Sequence, residues 1–254
     1  MINIKTEKEI EIMRSGGKIL AKILKELTRA AKPGVVTKDL DELAKELVFK
    51  FGAKPSFFRY QGFPSVLCVS VNNEIVHGLP SERKLKKEDL VKLDMGVLWQ
   101  DFNTDSAVTV LVGGGLSFDA ESKLKKKLIS VTRESLQIGI KEAKLGNTIG
   151  DIGSAIQKYV EKNGFNVVRS LVGHGIGRDL HEEPQIPNYG NPKTGQKLVE
   201  GMVIAIEPMV VTGSWETEEG SDGFVFQTKD GGLAAHFEHT IAITKTGPKI
   251  LTLI

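Results

Sequence analysis

The sequence predicts an α+β fold, with one central, largely antiparallel sheet and helices packed on one side of it. Three observations carry that prediction. A stretch of the chain recurs without a gap at an offset of 112 residues. Each copy sits in the same order of elements: a long helical pattern, a short helical pattern, then strands. No linker rich in proline, glycine or serine separates the halves, so they fuse into one sheet with a site between them.

In the first half, Ile10, Met13, Gly17, Leu20, Leu24 and Leu27 recur at alternating steps of three and four, the period of an amphipathic helix. Lys32–Gly52 (KPGVVTKDLDELAKELVFKFG) carries a shorter helix that ends at Gly52, as a left-handed C-terminal cap prefers. Strand-like runs follow at Ser65–Val71, Leu90–Val97 and Ala107–Val112, and the segment Gly113–Phe118 joins the halves. In the second half, Leu124, Leu128, Val131, Ser135 and Ile138 mark the long helix. Lys144–Gly164 (KLGNTIGDIGSAIQKYVEKNG) repeats the short one. Lys32/Lys144, Gly34/Gly146, Asp39/Asp151, Val48/Val160, Lys50/Lys162 and Gly52/Gly164 are identical, and Leu40/Ile152 is conservative. Thr148 with Asp151 three residues on has the form of a capping box. Strand-like runs return at Asn166–Leu171, Met202–Ile206, Gly223–Thr228 and Thr240–Thr244. The whole, residues 1–254, reads as a single catalytic domain of two repeated halves, about 4–113 and 118–250.

Composition narrows the function. With 40% hydrophobic residues in 254, the chain can bury a sizeable core. Lys plus Arg number 34 against 32 Asp plus Glu, a net charge of +2 that gives no reason to expect DNA or membrane binding. One cysteine, Cys68, excludes an intramolecular disulfide and points to a reducing compartment. Neither a signal-peptide stretch nor a membrane-length apolar run is present, so a soluble cytoplasmic protein is expected.

Acidic residues interrupt the apolar strands. Asp94 lies within Leu90–Val97, and Asp105, eleven residues later, precedes Ser106–Val112. Glu207 follows Met202–Ile206, and Glu238 precedes His239–Ile243. One such residue reads equally well as a turn residue; four, paired two and two across the halves, read as a site. Four converging carboxylates are costly unless protonated or neutralised, and two divalent cations supply the matching charge. Carboxylates with one imidazole suit Mn, Fe, Co or Zn. The imidazole is His174, flanked by Gly173 and Gly175, which permit close backbone approach. His181 lies seven residues on, and His77 in Asn72–Gly78 follows a strand of the first half. His236 and His239 read as satisfied core or surface residues. HExxH spacing is absent.

The phrases EIVHGLP, LDMGV, GHGIGRDLHEEPQIPNYG, GMVIAIEPMV and FEHTIAIT, spread over about Ile4 to Lys249, closely resemble those of type I methionine aminopeptidases. These belong to the creatinase/aminopeptidase family with the pita-bread fold, whose pseudo-twofold duplication agrees with the repeat. The resemblance implies that Asp105 and Glu238 bridge two divalent metals (Co, Mn, Fe or Zn), that Asp94 binds one of them, and that His174 and Glu207 bind the other. It makes His77 and His181 substrate-contacting. The 31 residues from Glu207 to Glu238 leave no room for the helical insertion of type II enzymes, so the pattern looks bacterial or organellar. Phe224 stands where many relatives have Trp, and Leu180 where many have Phe. Proline-specific peptidases of the fold usually carry a large N-terminal domain, and non-catalytic relatives lose metal ligands that are all present here.

The reaction implied is removal of the initiator methionine from nascent chains whose second residue is small, by attack of a hydroxide bridging the metals. His181 would polarise the scissile carbonyl, Glu207 would shuttle the proton, and His77 would hydrogen-bond the flanking amide. The substrate α-amine would reach the metal held by Asp94. Phe63, Cys68, Met209 and Phe224 are the candidate lining of an apolar methionine pocket, although Cys68 is equally compatible with a small buried strand residue. The partners expected are nascent N-termini and, transiently, the ribosome, through Arg83–Lys87 or Lys123–Lys127, runs for which solvated faces are the favoured reading. Family members are commonly monomers, and a monomer is expected.

Overall fold

The computed structural model describes residues 2–114 and 119–254; most of the expected join Gly113–Phe118 therefore lies outside the described residues. The first half runs α1 (Glu7–Ala30), α2 (Thr37–Lys50), β1 (Lys54–Pro55), β2 (Cys68–Val71), β3 (Glu74–Val76), β4 (Leu90–Trp99) and β5 (Phe102–Leu111). The second runs α3 (Ala120–Glu142), α4 (Ile149–Lys162), β6 (Asn166–Val167), β7 (Gly173–Gly175), β8 (Glu182–Ile186), β9 (Val203–Ile206) and β10 (Met209–Val211). It closes with β11 (Thr217–Glu219), β12 (Phe226–Thr228), β13 (Ala234–His236), β14 (His239–Thr244) and β15 (Gly247–Ile250). No described helix is long and apolar enough to cross a membrane. The mixed helices and antiparallel ladders agree with the expected α+β class.

The helix ends obey local rules. Thr6 and Glu9 form a capping box at the start of α1, and Thr148 and Asp151 form the expected one at α4. At the end of α2, Gly52 N–H donates to the Phe49 carbonyl and Ala53 N–H to that of Val48. At the end of α4, Gly164 donates to Glu161 and Phe165 to Val160 in the same way. These are Schellman closures, and Gly52 (φ 71°) and Gly164 (φ 83°) take the left-handed position they require.

The loops repeat as faithfully as the caps. Gly34 N–H donates to Leu85 and Gly146 N–H to Leu198; Leu85 donates to Val35 and Leu198 to Asn147; Thr37 donates to Arg83 and Ile149 to Gln196. Each pair is offset by 112 residues on the helix side and 113 on the other, and 113 also separates Asp94 from Glu207. These matched bonds support our proposal that the halves are copies of one unit and that Asp94 and Glu207 are equivalent positions within it.

The centre is a seam between β5 and β14. Each strand belongs to its own ladder: β4 carries β5 on one edge and β1 and β2 on the other, whereas β14 continues through β9 and β7 to β8. The expected single sheet is thus stitched mainly by side chains. Thr240 Oγ1 accepts from Asp105 N–H at 2.9 Å and donates to its carbonyl at 2.8 Å. Ser106 Oγ donates to the Glu238 carbonyl at 2.7 Å, and Glu238 N–H donates to Ala107 at 3.0 Å. Thr109 Oγ1 donates to the His236 carbonyl and accepts from its N–H. The seam therefore fixes the backbones of two of the predicted carboxylates, one from each half.

Both long helices lie on the face away from those carboxylates. A Cβ on Gly16 of α1 would meet Trp99 Cβ at 2.9 Å and Thr104 Oγ1 at 3.6 Å, and Thr104 points opposite to Asp105 along β5. Residues of α3 pack in one cluster with Phe237, which points opposite to Glu238. Two details depart from the sequence reading. The buried stripe of α3 is Ser122, Lys125, Leu128, Val131, Thr132, Ser135, Leu136, Gly139 and Ile140, rotated from the expected one, so Leu124 is 39% exposed. Gly139 sets that rotation: a Cβ there would lie 2.7 Å from Ile156, so α3 presents this position to α4. The run Asn166–Leu171 shortens to the two residues of β6, because Arg169 and Ser170 turn outward.

Candidate active site

Five ligand-type side chains converge where the halves meet, and the strand registers explain how. In the β4–β5 ladder Asp94 faces Ala107 and Asp105 faces Gly96. The two aspartates are therefore diagonal neighbours on one face, each opposite a small residue that leaves space for a carboxylate. Gly96 is also pressed from outside, since a Cβ there would lie 2.7 Å from Ser56. Asp105 lies inside its strand; the sequence reading had placed it ahead of Ser106. His174 is the centre of β7. Gly173 and Gly175 are obligatory beside it, because added Cβ atoms would meet the Ala205 and Glu183 carbonyl oxygens at 2.4 and 2.2 Å. Glu207 follows β9, its carbonyl accepting from Asn188 Nδ2 at 3.0 Å.

The electrostatics are those of a cation site. Asp94, Asp105 and Glu238 are 7, 3 and 2% exposed, and Asp94 Oδ1, Asp105 Oδ1 and Glu238 Oε1 are buried without a hydrogen-bond partner. Burial raises the pKa of all four carboxyls; like charge adds to this at Asp94 through Asp105, and at Glu207 and Glu238 through the neighbouring acids. Burial holds His174 down to about 3, so it is neutral. Its Nδ1 lies 2.8 Å from the Gly175 carbonyl, which accepts the ring N–H and leaves the Nε2 lone pair for a metal. Nε2 is 3.7 Å from Glu207 Oε1. Ligand atoms of Asp105, His174 and Glu238 all lie within 4.8 Å of one another. Orphaned carboxylate oxygens around a neutral imidazole fit divalent metal and fit little else.

These groups open onto a cavity of about 280 Å³. Of the candidate residues, His77, His181, Phe63, Cys68 and Phe224 line it, and Leu180 joins them. Phe63 and Phe224 meet edge to face at 5.5 Å. Cys68 pairs with Asp94 in register, and burial pushes its thiol pKa up, so it is a packing wall. Met209 is a correction: it is fully buried with Ile75, Val76 and Val168 and does not line the cavity. His77, directly after β3, takes a left-handed φ of 60°, a strained conformation, and its ring meets Phe226 edge to face at 5.9 Å. Burial first, then His181, lowers its pKa to about 4.

Sequence reasoning missed Tyr60, Phe57 and Phe226, which complete the wall. It also misjudged His236. That ring is 1% exposed with both nitrogens unpartnered, and its Nε2 lies 3.7 Å from Glu207 Oε2, so it backs the site. His239 is a satisfied core residue as read, with Nδ1 2.8 Å from Thr252 Oγ1.

The profile of metallopeptidase family M24 matches residues 11–245. The chain is 49% identical over 254 residues to a methionine aminopeptidase of Clostridium perfringens, covering 100% of both. It is 49% identical to methionine aminopeptidase 1 of Bacillus subtilis, again over 100% of both. The solved methionine aminopeptidase of Thermotoga maritima superposes with a TM-score of 0.95 at 47% identity, covering 100% of each chain. A prolidase of Pyrococcus horikoshii shares the fold at a TM-score of 0.78 and 26% identity, with 98% of this chain covering 63% of that one.

Proposed function

The chain belongs to metallopeptidase family M24, and from that premise we propose that it is a metalloaminopeptidase that removes N-terminal methionine from polypeptides. The observation that carries this reading is the pairing of orphaned, buried carboxylates with an aromatic-walled cavity. The carboxylates require cations. The cavity suits one unbranched apolar side chain, and the Phe63–Phe224 edge pair suits a thioether, since sulfur packs well at ring edges.

Asp94, Asp105, His174, Glu207 and Glu238 would hold two divalent ions, of Co, Mn, Fe or Zn. When bound, such ions offset the carboxylate charge and lower the pKa of water at the site. The remaining work belongs to side chains. Glu207 accepts a proton and delivers it to the departing amine. His181 donates a hydrogen bond to the scissile carbonyl oxygen as negative charge gathers there. His77 hydrogen-bonds the flanking amide. The free α-amine docks at the Asp94 end, which restricts cleavage to the first residue. Bulk in the second residue would crowd these groups, so small second residues are preferred. Nascent chains would be the substrates, and a cytoplasmic location accords with that reading.

Prolidases share this fold at lower identity, so the deciding assay sets Met-Gly-type peptides against Xaa-Pro peptides. Cleavage of the first with the second untouched is expected. Preference for Xaa-Pro would reassign the activity.

Contact with the ribosome would use the run Arg83–Lys87. The alternative run is a poor candidate: Lys125 is buried and pairs with Glu121 at 2.6 Å, and Lys127 donates to the Asn163 carbonyl. Lys84, Lys86 and Lys87 are exposed. Reversing Lys86 and Lys87 to Glu should weaken co-sedimentation with ribosomes at low salt and flatten its salt dependence. Peptide cleavage should not change, because both lie outside the site. Unaltered co-sedimentation would remove this run as the contact.

A further inference from the structure

We infer that Lys5 is a positioning residue, which through Glu182 holds the loop that carries His181 against His174. The inference rests on the aminopeptidase reading for its meaning, and on geometry for its content. The loop is the connection 176–181 between β7 and β8, with His174 in the strand before it and His181 at its far end. The centroids of the two rings are 4.3 Å apart. A shift of the loop is therefore a shift of His181 relative to the proposed metal ligands.

Neighbouring residues of an extended chain point to opposite sides. His181 lines the cavity, and Glu182, the first residue of β8, directs its carboxylate away from it. Two groups share that carboxylate. Oε1 accepts from the Asp179 N–H at 3.3 Å, which closes the loop on itself, and Oε2 accepts from Lys5 Nζ at 2.5 Å. Asn103 of β5 holds the opening of the loop, its N–H and Nδ2 donating to the Gly177 carbonyl and its Nδ2 to that of Arg178. The His181 end hangs on Glu182, whose backbone faces Gly175 in the ladder and whose carboxylate ties Asp179 to Lys5.

The lysine arrives from the segment ahead of α1, which is itself secured. Lys5 N–H donates to the Gly201 carbonyl at 2.8 Å, Nζ also donates to the Asn3 carbonyl at 3.0 Å, and Thr6 caps the helix. The fold reserves space for the pair: a Cβ on Gly177 would lie 2.4 Å from Lys5 Cε and 2.7 Å from Glu182 Oε1. Burial decides how much the pair matters. The Lys5 and Glu182 side chains are 5 and 3% exposed, whereas Arg178 and Glu9, which join the same two segments at 3.2 Å, are 63 and 26% exposed. An exposed pair contributes little, but a buried carboxylate that loses its cation is strongly destabilised where it stands. By moving toward water it would release the Asp179 N–H and loosen the loop beside His181.

The test is Lys5→Met, which keeps most of the side chain's length and removes its charge. In manganese-loaded protein, kcat on a Met-Gly peptide should fall about 10-fold with KM within about twofold, since a misplacement of about 1 Å costs up to about 10²-fold. Lys5→Met with Glu182→Gln leaves no buried charge and keeps an oxygen for Asp179, so it should recover to within about threefold of wild type. Lys5→Met with Glu182→Ala also leaves no buried charge but removes that oxygen; it should show the full loss, and it stands in if Lys5→Met does not fold. In a His181→Ala background Lys5→Met should cost less than about twofold, because residues that act through one another are not additive. A general loss of stability would cost the same in both backgrounds. Hydrogen exchange read by mass spectrometry should speed about 10-fold over 176–181 in Lys5→Met, more than in α3, and return toward the wild-type rate with Glu182→Gln added. An unchanged kcat in Lys5→Met, or a loss undiminished without His181, overturns the inference. The exchange arm does not depend on turnover. An inactive wild-type enzyme would therefore sink the aminopeptidase reading and leave the tether standing, and an unaltered loop in Lys5→Met would sink this inference without touching that reading.

Discussion

Stripping divalent metal from the protein should lower its melting temperature and abolish its peptidase activity, and returning metal should restore both. The cause is in the unpartnered oxygens of Asp94, Asp105 and Glu238, which have lost water and gained no donor. A ligand that binds only the native state, present at a hundredfold its dissociation constant, stabilises it by about 2.7 kcal/mol. For a domain of this size that amounts to roughly 5–10 °C.

The pH dependence has a definite sign. Burial raises the native carboxyl pKa values above their unfolded ones. Between the ordinary carboxylate value of about 4 and the raised native values, the metal-free native state binds more protons than the unfolded chain. Its stability is therefore fully present at the acid end of that window and falls as pH rises through it. The loaded protein runs the other way at the acid end, where protons displace metal from the same oxygens. Calorimetric melting with and without chelator should thus show a gap that widens from about pH 5.5 to about pH 8. Superimposable melts in a protein verified free of metal would overturn the claim.

The parts of this molecule that show in the sequence are those fixed by local chemistry. Gly52 and Gly164 announce their Schellman closures, and Thr148 with Asp151 its capping box, because each rule operates within a few residues. The carboxylates stand out because charge inside an apolar run has few other uses. What was misread depends on distant partners. Asp105 was set ahead of its strand because Asp101–Ser106 shows little apolar alternation; pairing with β4 and the Thr240 clamp hold it in a strand regardless. The stripe of α3 was set slightly off because Leu124 and Ile138 fit the period as well as their neighbours, and only the approach of α4 at Gly139 decides between them. Strands of three residues, such as β7 and β13, are too short for any periodicity. Tyr60 and His236 were passed over for the same reason: a loop tyrosine and a strand histidine acquire meaning from what the fold brings beside them, His181 in one case and Glu207 in the other.

Glu207→Gln should reduce kcat by more than the roughly 10²–10⁴-fold that general acid–base help alone supplies. The side chain stands at a junction. Oε1 lies 3.7 Å from His174 Nε2 and Oε2 lies 3.7 Å from His236 Nε2, so one oxygen faces the imidazole proposed to hold metal and the other the buried ring behind. Gln preserves the volume and the backbone bond to Asn188, which uses only the Glu207 carbonyl, so the fold is retained. It removes the two features the proposed roles need, the charge that would balance a cation and the basic oxygen that would take the proton. Those losses separate experimentally. Calorimetric titration with metal should show weaker binding in the variant, and raising metal until the sites are full should recover only the share of activity lost through occupancy. The residual defect is the proton transfer, and it should appear in kcat with KM little changed, since the substrate still docks in an intact cavity. Near wild-type turnover of a fully loaded Glu207→Gln variant would remove both roles from this residue and leave His236 backing a carboxylate that does no chemistry.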